Sequence, residues 1–134
     1  MKSGSVVEFL KGKVTLFKSF PEAKLAELVN GSRVSTFEPK EPIIQFGSEG
    51  LFLGVVLEGE AEVSVTDDGG KKHQINILKP GDIFGEMSLM TGDKTMADIT
   101  GVTRCKILLI PNSLFTTILT SHPPAITLLS KTIT

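Results

Sequence analysis

Residues 80–99 read PGDIFGEMSLMTGDKTMADI, and this stretch carries more structural information than any other in the 134-residue chain. A strand is predicted to end at Pro80-Gly81, and Gly85 then permits a sharp turn because glycine readily adopts positive φ. A short helix is predicted from Glu86 to Met90, followed by a loop at 91–93 and another strand. The first backbone N–H groups of such a helix lack partners, which suits a bound anion. A plain connector with a favourable N-terminal glutamate would give the same pattern.

Upstream of this stretch, the sequence alternates in the way that strands do. Residues 60–65 (EAEVSV) alternate strictly, the glycines of 67–70 (DDGG) suit a tight turn, and 73–78 (HQINIL) are predicted to form the returning strand. The residues expected to form core or pocket walls are Val63, Val65, Ile75 and Ile77. Further short strands separated by Gly and Pro predict an antiparallel barrel or jelly roll over 32–110.

Helical patterns flank this β-rich region. Residues 21–29 (PEAKLAELV) place apolar side chains at i, i+3 and i+4, and Asn30-Gly31 is predicted to end that helix. An earlier helix is predicted between Val6 and Phe17. Downstream, 111–113 (PNS) can cap a helix over 114–119.

A last helix is predicted to begin at Pro123-Pro124, with its apolar residues at Ile126, Leu128, Leu129 and Ile133. We therefore expect a single domain over 1–134, helical at 1–31, a β-barrel at 32–110, and helical again at 111–134. Because the last helix has only about ten residues, we expect a monomer or a weak dimer.

Composition excludes several classes of protein. The 14 basic and 15 acidic residues give a net charge of -1, so we expect no direct nucleic-acid binding by this chain. No apolar run of about 20 residues is present, and the first residues do not resemble a signal peptide, so we expect no membrane segment. The lone Cys105 lies in an apolar run and is predicted to be a buried thiol, which fits a cytoplasmic location.

Signatures of catalysis are missing from the sequence. Gly12-Lys13 lacks the upstream glycine and the following Ser/Thr of a P-loop, and no Gly-x-Ser-x-Gly elbow occurs. A barrel of this kind could hold a metal, but the only two histidines, His73 and His122, lie in different regions. We therefore expect no enzyme activity, no metal site and no cofactor.

The stretch at 80–99 resembles the phosphate-binding cassette of cyclic-nucleotide-binding domains, as found in protein kinase A regulatory subunits and catabolite-activator-type regulators. The family pattern is Gly-Asp-x-Phe-Gly-Glu-Leu-Ala-Leu, a variable loop, and Pro-Arg-x-Ala. The matching residues are Gly81, Asp82, Phe84, Gly85, Glu86 and Leu89. Residues 41–50 and 55–63 are similar to the family's early barrel. The resemblance implies a mainly β fold with flanking helices, namely an antiparallel eight-stranded barrel or jelly roll.

The resemblance also implies a ligand, cAMP or cGMP, and a role for each site residue. Glu86 would accept the ribose 2′-hydroxyl, backbone amides around Gly85 would meet the cyclic phosphate, and the last helix would act as a lid. A regulatory role implies an output domain or a protein partner. The implied ligand-binding residues are Val63, Phe84, Gly85, Glu86, Met87, Ser88, Lys94, Thr95 and Met96.

The cassette departs from the family pattern at its arginine. Counting back from Ala97 places Thr95 at that position and Lys94 where proline is frequent. Between Gly81 and Gly101 there are four acids and one base, a balance of 1 - 4 = -3, so a phosphate would lack its bidentate partner. Lys94 could supply a point charge if the loop shifted by one residue. Two hypotheses stay open: a sensor that binds cyclic nucleotides weakly, and a degenerate member that takes another ligand or serves as a protein-interaction module.

Overall fold

The computed structural model describes residues 3–124 and, within them, every side chain except those of Ser3 and Met90. These residues form four α-helices, a short 3₁₀ turn and eight β-strands. In chain order they are α1 (Ser3–Lys13), the 3₁₀ turn (Thr15–Phe17), α2 (Glu22–Asn30), β1 (Arg33–Phe37), β2 (Pro42–Ile44), β3 (Phe52–Glu58), β4 (Ala61–Thr66), β5 (Lys72–Leu78), β6 (Ile83–Phe84), α3 (Glu86–Thr91), β7 (Asp98–Gly101), β8 (Cys105–Pro111) and α4 (Asn112–Thr120).

The strands form two antiparallel four-stranded sheets, ordered β1-β8-β3-β6 and β2-β7-β4-β5. The predicted mainly β fold with flanking helices and eight antiparallel strands is confirmed, as a jelly roll of two sheets rather than a closed barrel. Gly54 on β3 lies opposite Phe84 on β6. A side chain at Gly54 would overlap the Phe84 ring, so the glycine lets that ring enter the space between the sheets.

Two apolar cores hold these layers together. The first sheet is buried on both faces, since Leu108 and Ile110 of β8 face one core while Ile107 and Leu109 face the other. The inner core fills the space between the sheets and includes Cys105, a buried thiol as predicted. Burial raises the pKa of this thiol, and the carboxylates of Glu41 and Glu38 raise it further. The outer core packs α1, α2 and α4 against the first sheet, with Phe17, Phe20 and Phe115 fully buried.

The β4–β5 hairpin departs from simple alternation. The register shifts between Val63, opposite Asn76, and Ser64, opposite Gln74. Ile75 is therefore the extra residue of a bulge, which re-aims side chains locally. Strict alternation would place Ser64 on the outer face with Glu60 and Glu62, yet Ser64 is 1% exposed, whereas Ile75 is 60% exposed and contributes no core packing.

The helix boundaries follow the predicted signals closely, with one break. The helix expected from Val6 to Phe17 is divided into α1 and the 3₁₀ turn because Val14 adopts an extended conformation. The predicted last helix after Pro124 lies outside the described residues. Within residues 3–124, no helix has the length and apolar character needed to cross a bilayer.

Candidate functional site

Two glycines in the left-handed conformation bracket α3. Gly85 precedes the helix with φ 88°, and Gly92 follows it with φ 77°. A Cβ on Gly85 would lie 2.8 Å from the carbonyl oxygen of Phe52, so the position excludes other residues on both conformation and space. The first bond of the helix runs from Leu89 N to Gly85 O at 3.4 Å. The three preceding N–H groups, from Glu86 to Ser88, therefore have no partner within the helix.

A cavity of about 420 Å³, here called the α3 cavity, opens beside these N–H groups. Its wall is formed by strands of the second sheet, by β6 and by α3. It brings together eight of the nine residues that the resemblance implies: Val63, Phe84, Gly85, Glu86, Met87, Ser88, Thr95 and Met96. The ninth, Lys94, is exposed and does not line the cavity. Its volume lies within the range of about 300–1,000 Å³ that small-molecule sites occupy.

Sequence analysis did not single out several apolar residues of this wall. They are Ile44, Leu78, Ile83, Ala97 and Ile99, together with the polar Asn76. Ile75, expected in the core or a pocket wall, lies at the cavity because of the bulge in β5. The alternation of β4 and β5 was the signal that pointed to this wall, and the bulge then altered which side chains reach it.

Among the described residues that line the α3 cavity, Glu86 is the only ionisable one. Burial raises the pKa of its carboxyl group, while its own backbone N–H acts in the opposite direction. The carboxyl has no cationic partner among the described residues that line the cavity. It can therefore accept hydrogen bonds from a ligand's hydroxyl groups, and it disfavours a second negative charge nearby.

Thr95 holds the loop between β2 and β3 against the segment that leads into β7. Its hydroxyl Oγ1 donates to Gln45 O at 2.6 Å and accepts from Ser48 N at 2.9 Å. Its backbone N donates to Ser48 O at 2.9 Å, and its carbonyl accepts from Gly47 N at 2.8 Å. With 8% of its surface exposed, Thr95 is a buried residue whose hydroxyl is fully engaged by protein groups.

No lysine, arginine or histidine of the described chain lines this cavity. Arg104 forms an exposed ion pair with Glu38 at 3.2 Å, and Arg33 lies on β1 at the edge of the first sheet. An anion in the α3 cavity would therefore meet backbone N–H groups without a cationic side chain. Within the described residues, no group of three or more His, Cys, Asp or Glu could hold a metal ion.

Comparison with known proteins identifies the family. The sequence profile of the family described as "Cyclic nucleotide-binding domain" matches residues 34–122. The chain belongs to this family. This cyclic-nucleotide-binding domain is 34% identical, over 87 residues, to a cGMP-dependent protein kinase of Toxoplasma gondii. That match covers 65% of the chain and 8% of the kinase, so the domain spans a small part of that relative.

Two solved structures resemble the domain over nearly its whole length. The regulatory subunit of a cAMP-independent protein kinase A from Trypanosoma brucei superimposes with a TM-score of 0.86 at 25% identity, covering 97% of this domain and 46% of that subunit. A variant of that subunit, in which a glutamate, a threonine and the adjacent valine become alanine, arginine and alanine, has cAMP bound in its A site. The corresponding subunit from Trypanosoma cruzi, bound to guanosine, superimposes with a TM-score of 0.85 at 25% identity, covering 96% and 45%.

Proposed function

We propose that this chain is a regulatory, non-catalytic sensor domain whose α3 cavity binds a nucleoside, and that it binds cAMP and cGMP only weakly. The observation that carries the proposal is Thr95. It stands where the family pattern has the arginine that pairs with phosphate, and its hydroxyl is engaged by Gln45 and Ser48. Among the residues that the structure describes, the site thus has polar and apolar walls but no cationic side chain.

The remaining groups suit a neutral ribose-bearing ligand. The Glu86 carboxyl can accept hydrogen bonds from ribose hydroxyls, and charge-assisted bonds of this kind are about twice as strong as neutral ones. Val63, Ile75 and Met96 provide an apolar flank for a base. Because a nucleoside carries no phosphate, it leaves no buried negative charge without a partner.

A cyclic nucleotide is disfavoured by the same walls. Its phosphate would add a negative charge close to Glu86, with no arginine to offset it. Leaving one member of a buried charge pair without its partner costs about 2–5 kcal/mol, which corresponds to roughly 30- to several thousand-fold in affinity. This cost separates the proposed ligand class from that of family members whose cassette has the arginine.

The relatives support this choice of ligand. The Trypanosoma cruzi subunit is bound to guanosine, and the Trypanosoma brucei variant that is bound to cAMP carries an arginine in place of a threonine. Both relatives are kinase regulatory subunits, so we propose that occupancy of this domain is passed to an output domain or a protein partner.

A second candidate is that the ligand is cAMP or cGMP rather than a nucleoside, held weakly through backbone N–H groups alone. Gly85 with its left-handed φ and the first N–H groups of α3, which have no partner within the helix, favour it. Lys94 contributes little to this candidate, because it is exposed and outside the cavity lining.

Calorimetric titration of the wild-type chain with guanosine, adenosine, cAMP and cGMP tests the proposal. We expect a nucleoside to bind at least about 30-fold more tightly than either cyclic nucleotide. Glu86→Gln should weaken nucleoside binding by about 10-fold or more, because it removes a charged hydrogen-bond acceptor. The difference between the affinities for the nucleoside and for cAMP should become smaller, because the variant also removes a negative charge near the phosphate. Asp68→Asn, at the exposed tip of the β4–β5 hairpin, is the matched control and should leave the affinities for the nucleosides and for the cyclic nucleotides unchanged. Tighter binding of cAMP than of both nucleosides would overturn the proposal.

A further inference from the structure

A second cavity adjoins the α3 cavity on the side of the β2–β3 loop. It has a volume of about 330 Å³ and is here called the loop cavity. The two cavities share the wall residues Ile44, Gly85, Ser88 and Thr95. Ligand atoms in either cavity would therefore contact these four residues.

Ser88 lies at the junction and lines both cavities. It is 8% exposed, and its hydroxyl forms no side-chain hydrogen bond within the described part of the chain. No fully enclosed side-chain oxygen or nitrogen there lacks a partner, so the Ser88 oxygen is open to the cavities that the residue lines. Gly50 packs closely against Ser88: a Cβ on Gly50 would lie 2.5 Å from the Ser88 Cβ and 3.5 Å from its hydroxyl oxygen. A buried hydroxyl open to a cavity is suited to bond with a ligand.

The charges of both cavities are of one sign. Among the residues the structure describes, Glu49 is the only ionisable one that lines the loop cavity, as Glu86 is for the α3 cavity. An anionic group between two carboxylates and no cation is disfavoured, whereas a neutral or cationic group is accepted.

Resting on the proposed nucleoside function, we infer that the loop cavity receives the 5′-substituent of the bound nucleoside, and that this substituent is uncharged or cationic. A nucleoside's base is attached at the 1′ carbon, and its 2′- and 3′-hydroxyls are the groups that can donate hydrogen bonds to the Glu86 carboxylate. The 5′ carbon is the remaining point of extension. A 5′-amine or thioether would follow the shared wall, bond to the Ser88 hydroxyl and lie toward Glu49, while a 5′-phosphate would be rejected.

Four guanosine derivatives test this inference in one calorimetric series on the wild-type chain: guanosine, 5′-amino-5′-deoxyguanosine, 5′-deoxy-5′-methylthioguanosine and guanosine 5′-monophosphate. We expect the amine and the thioether to bind at least as tightly as guanosine, and the monophosphate to bind at least about 10-fold more weakly. Ser88→Ala should weaken binding of the amine by about 5-fold, the size of one neutral hydrogen bond.

Glu49→Gln addresses the charge separately, and it is a safe variant because Glu49 is exposed. It should reduce the advantage of the amine over guanosine by about 1.5- to 5-fold, as expected for an exposed ion pair. Asp68→Asn again serves as the control. If guanosine binds but the monophosphate binds equally well, or if Glu49→Gln leaves the amine unaffected, the inference is wrong while the proposed function stands. If no guanosine derivative binds, both are wrong.

Discussion

Replacing Thr95 by arginine should raise the affinity for cAMP and lower the stability of the unliganded domain at the same time. The first effect comes from adding the cation that the family pattern places at this position. The second comes from removing the hydroxyl that joins the β2–β3 loop to the segment before β7. The two effects are separable because one needs ligand and the other does not.

The loss of stability follows from two hydrogen bonds. Without the hydroxyl, the part-buried Ser48 N–H and Gln45 carbonyl each lose one hydrogen bond and keep only the bond between themselves, at 3.2 Å. A hydrogen bond contributes about 0.5–1.5 kcal/mol net, so we expect a loss of about 1–3 kcal/mol in total. For the 134 residues, an unfolding entropy of about 2.1 cal/mol/K per residue gives about 0.28 kcal/mol/K. The Tm of the unliganded domain should therefore fall by about 4–11 °C.

The gain in affinity comes from the bidentate contact that the arginine guanidinium would make with the phosphate. Hydrogen bonds to charged groups contribute about 1.5–3 kcal/mol each, but Thr95→Arg must also bring a long side chain out of a buried position. We expect a net gain of about 1.4–3 kcal/mol, which is roughly 10- to 150-fold in the Kd for cAMP. Guanosine carries no phosphate, so its affinity should change much less.

Thr95→Val is the matched control, because it removes the same two hydrogen bonds without adding charge. Thr95→Ser keeps the hydroxyl and should keep most of the stability. Thermal unfolding without ligand and calorimetric titration with cAMP and guanosine measure all three variants. The reasoning is refuted if Thr95→Arg leaves the Tm within about 2 °C of wild type, or if Thr95→Val improves cAMP binding as much as Thr95→Arg does.

Three further predictions concern other parts of the domain. Gly85→Ala should lower the free energy of unfolding by more than Gly92→Ala in urea denaturation. Both need a left-handed residue at a cost of about 1–2 kcal/mol, but only at Gly85 would the new Cβ meet a carbonyl oxygen, at 2.8 Å. Burial raises the pKa of Glu86 in the folded domain above its ordinary value of 4.5. The folded domain is therefore most stable, with respect to this group, below pH 4.5, where Glu86 is protonated, and it loses that stability as the pH rises through the folded-state pKa. Glu86→Gln should thus raise the Tm at neutral pH and give no advantage in acid; an equal Tm difference at both pH values would contradict this. The bond from His73 to Asp67 lowers the pKa of Asp67, so His73→Ala should raise it in an NMR titration.

The hairpin shows how far local pattern predicts structure. The alternation at 60–65 and the glycines at 67–70 correctly predicted β4, the turn and β5. Neither pattern predicts the bulge, because the position of a bulge depends on which hydrogen bonds form between the two strands in the folded sheet. Ile75 is consequently exposed beside the α3 cavity, although its sequence neighbours predicted a regular strand.

The two cavities differ in how far local sequence predicts the residues that line them. Most residues implied for the α3 cavity are close in sequence, at 84–88 and 95–96, so one motif was enough to predict them. The loop cavity depends on the pairing of Ser48 with Thr95, 47 residues apart, and on Gly50 packing against Ser88. No local sequence pattern predicts such contacts, because they join residues that are far apart in the sequence and meet only when the two sheets pack together.

Thr95 also separates two tasks that a single arginine would combine. An arginine at this position would offer charge to a ligand and donors to the surrounding loop, but it has no acceptor. A threonine hydroxyl both donates and accepts, which is why it can satisfy Gln45 and Ser48 together in a buried place. The loop and the segment before β7 are thus joined by neutral bonds that need no ligand, and the described lining of the α3 cavity contains no cationic side chain. An anion then has no way to strengthen this connection, whereas a neutral ligand that fills both cavities contacts each side of it. The proposed selection against phosphate and the ligand-independent loop contact therefore have one structural cause.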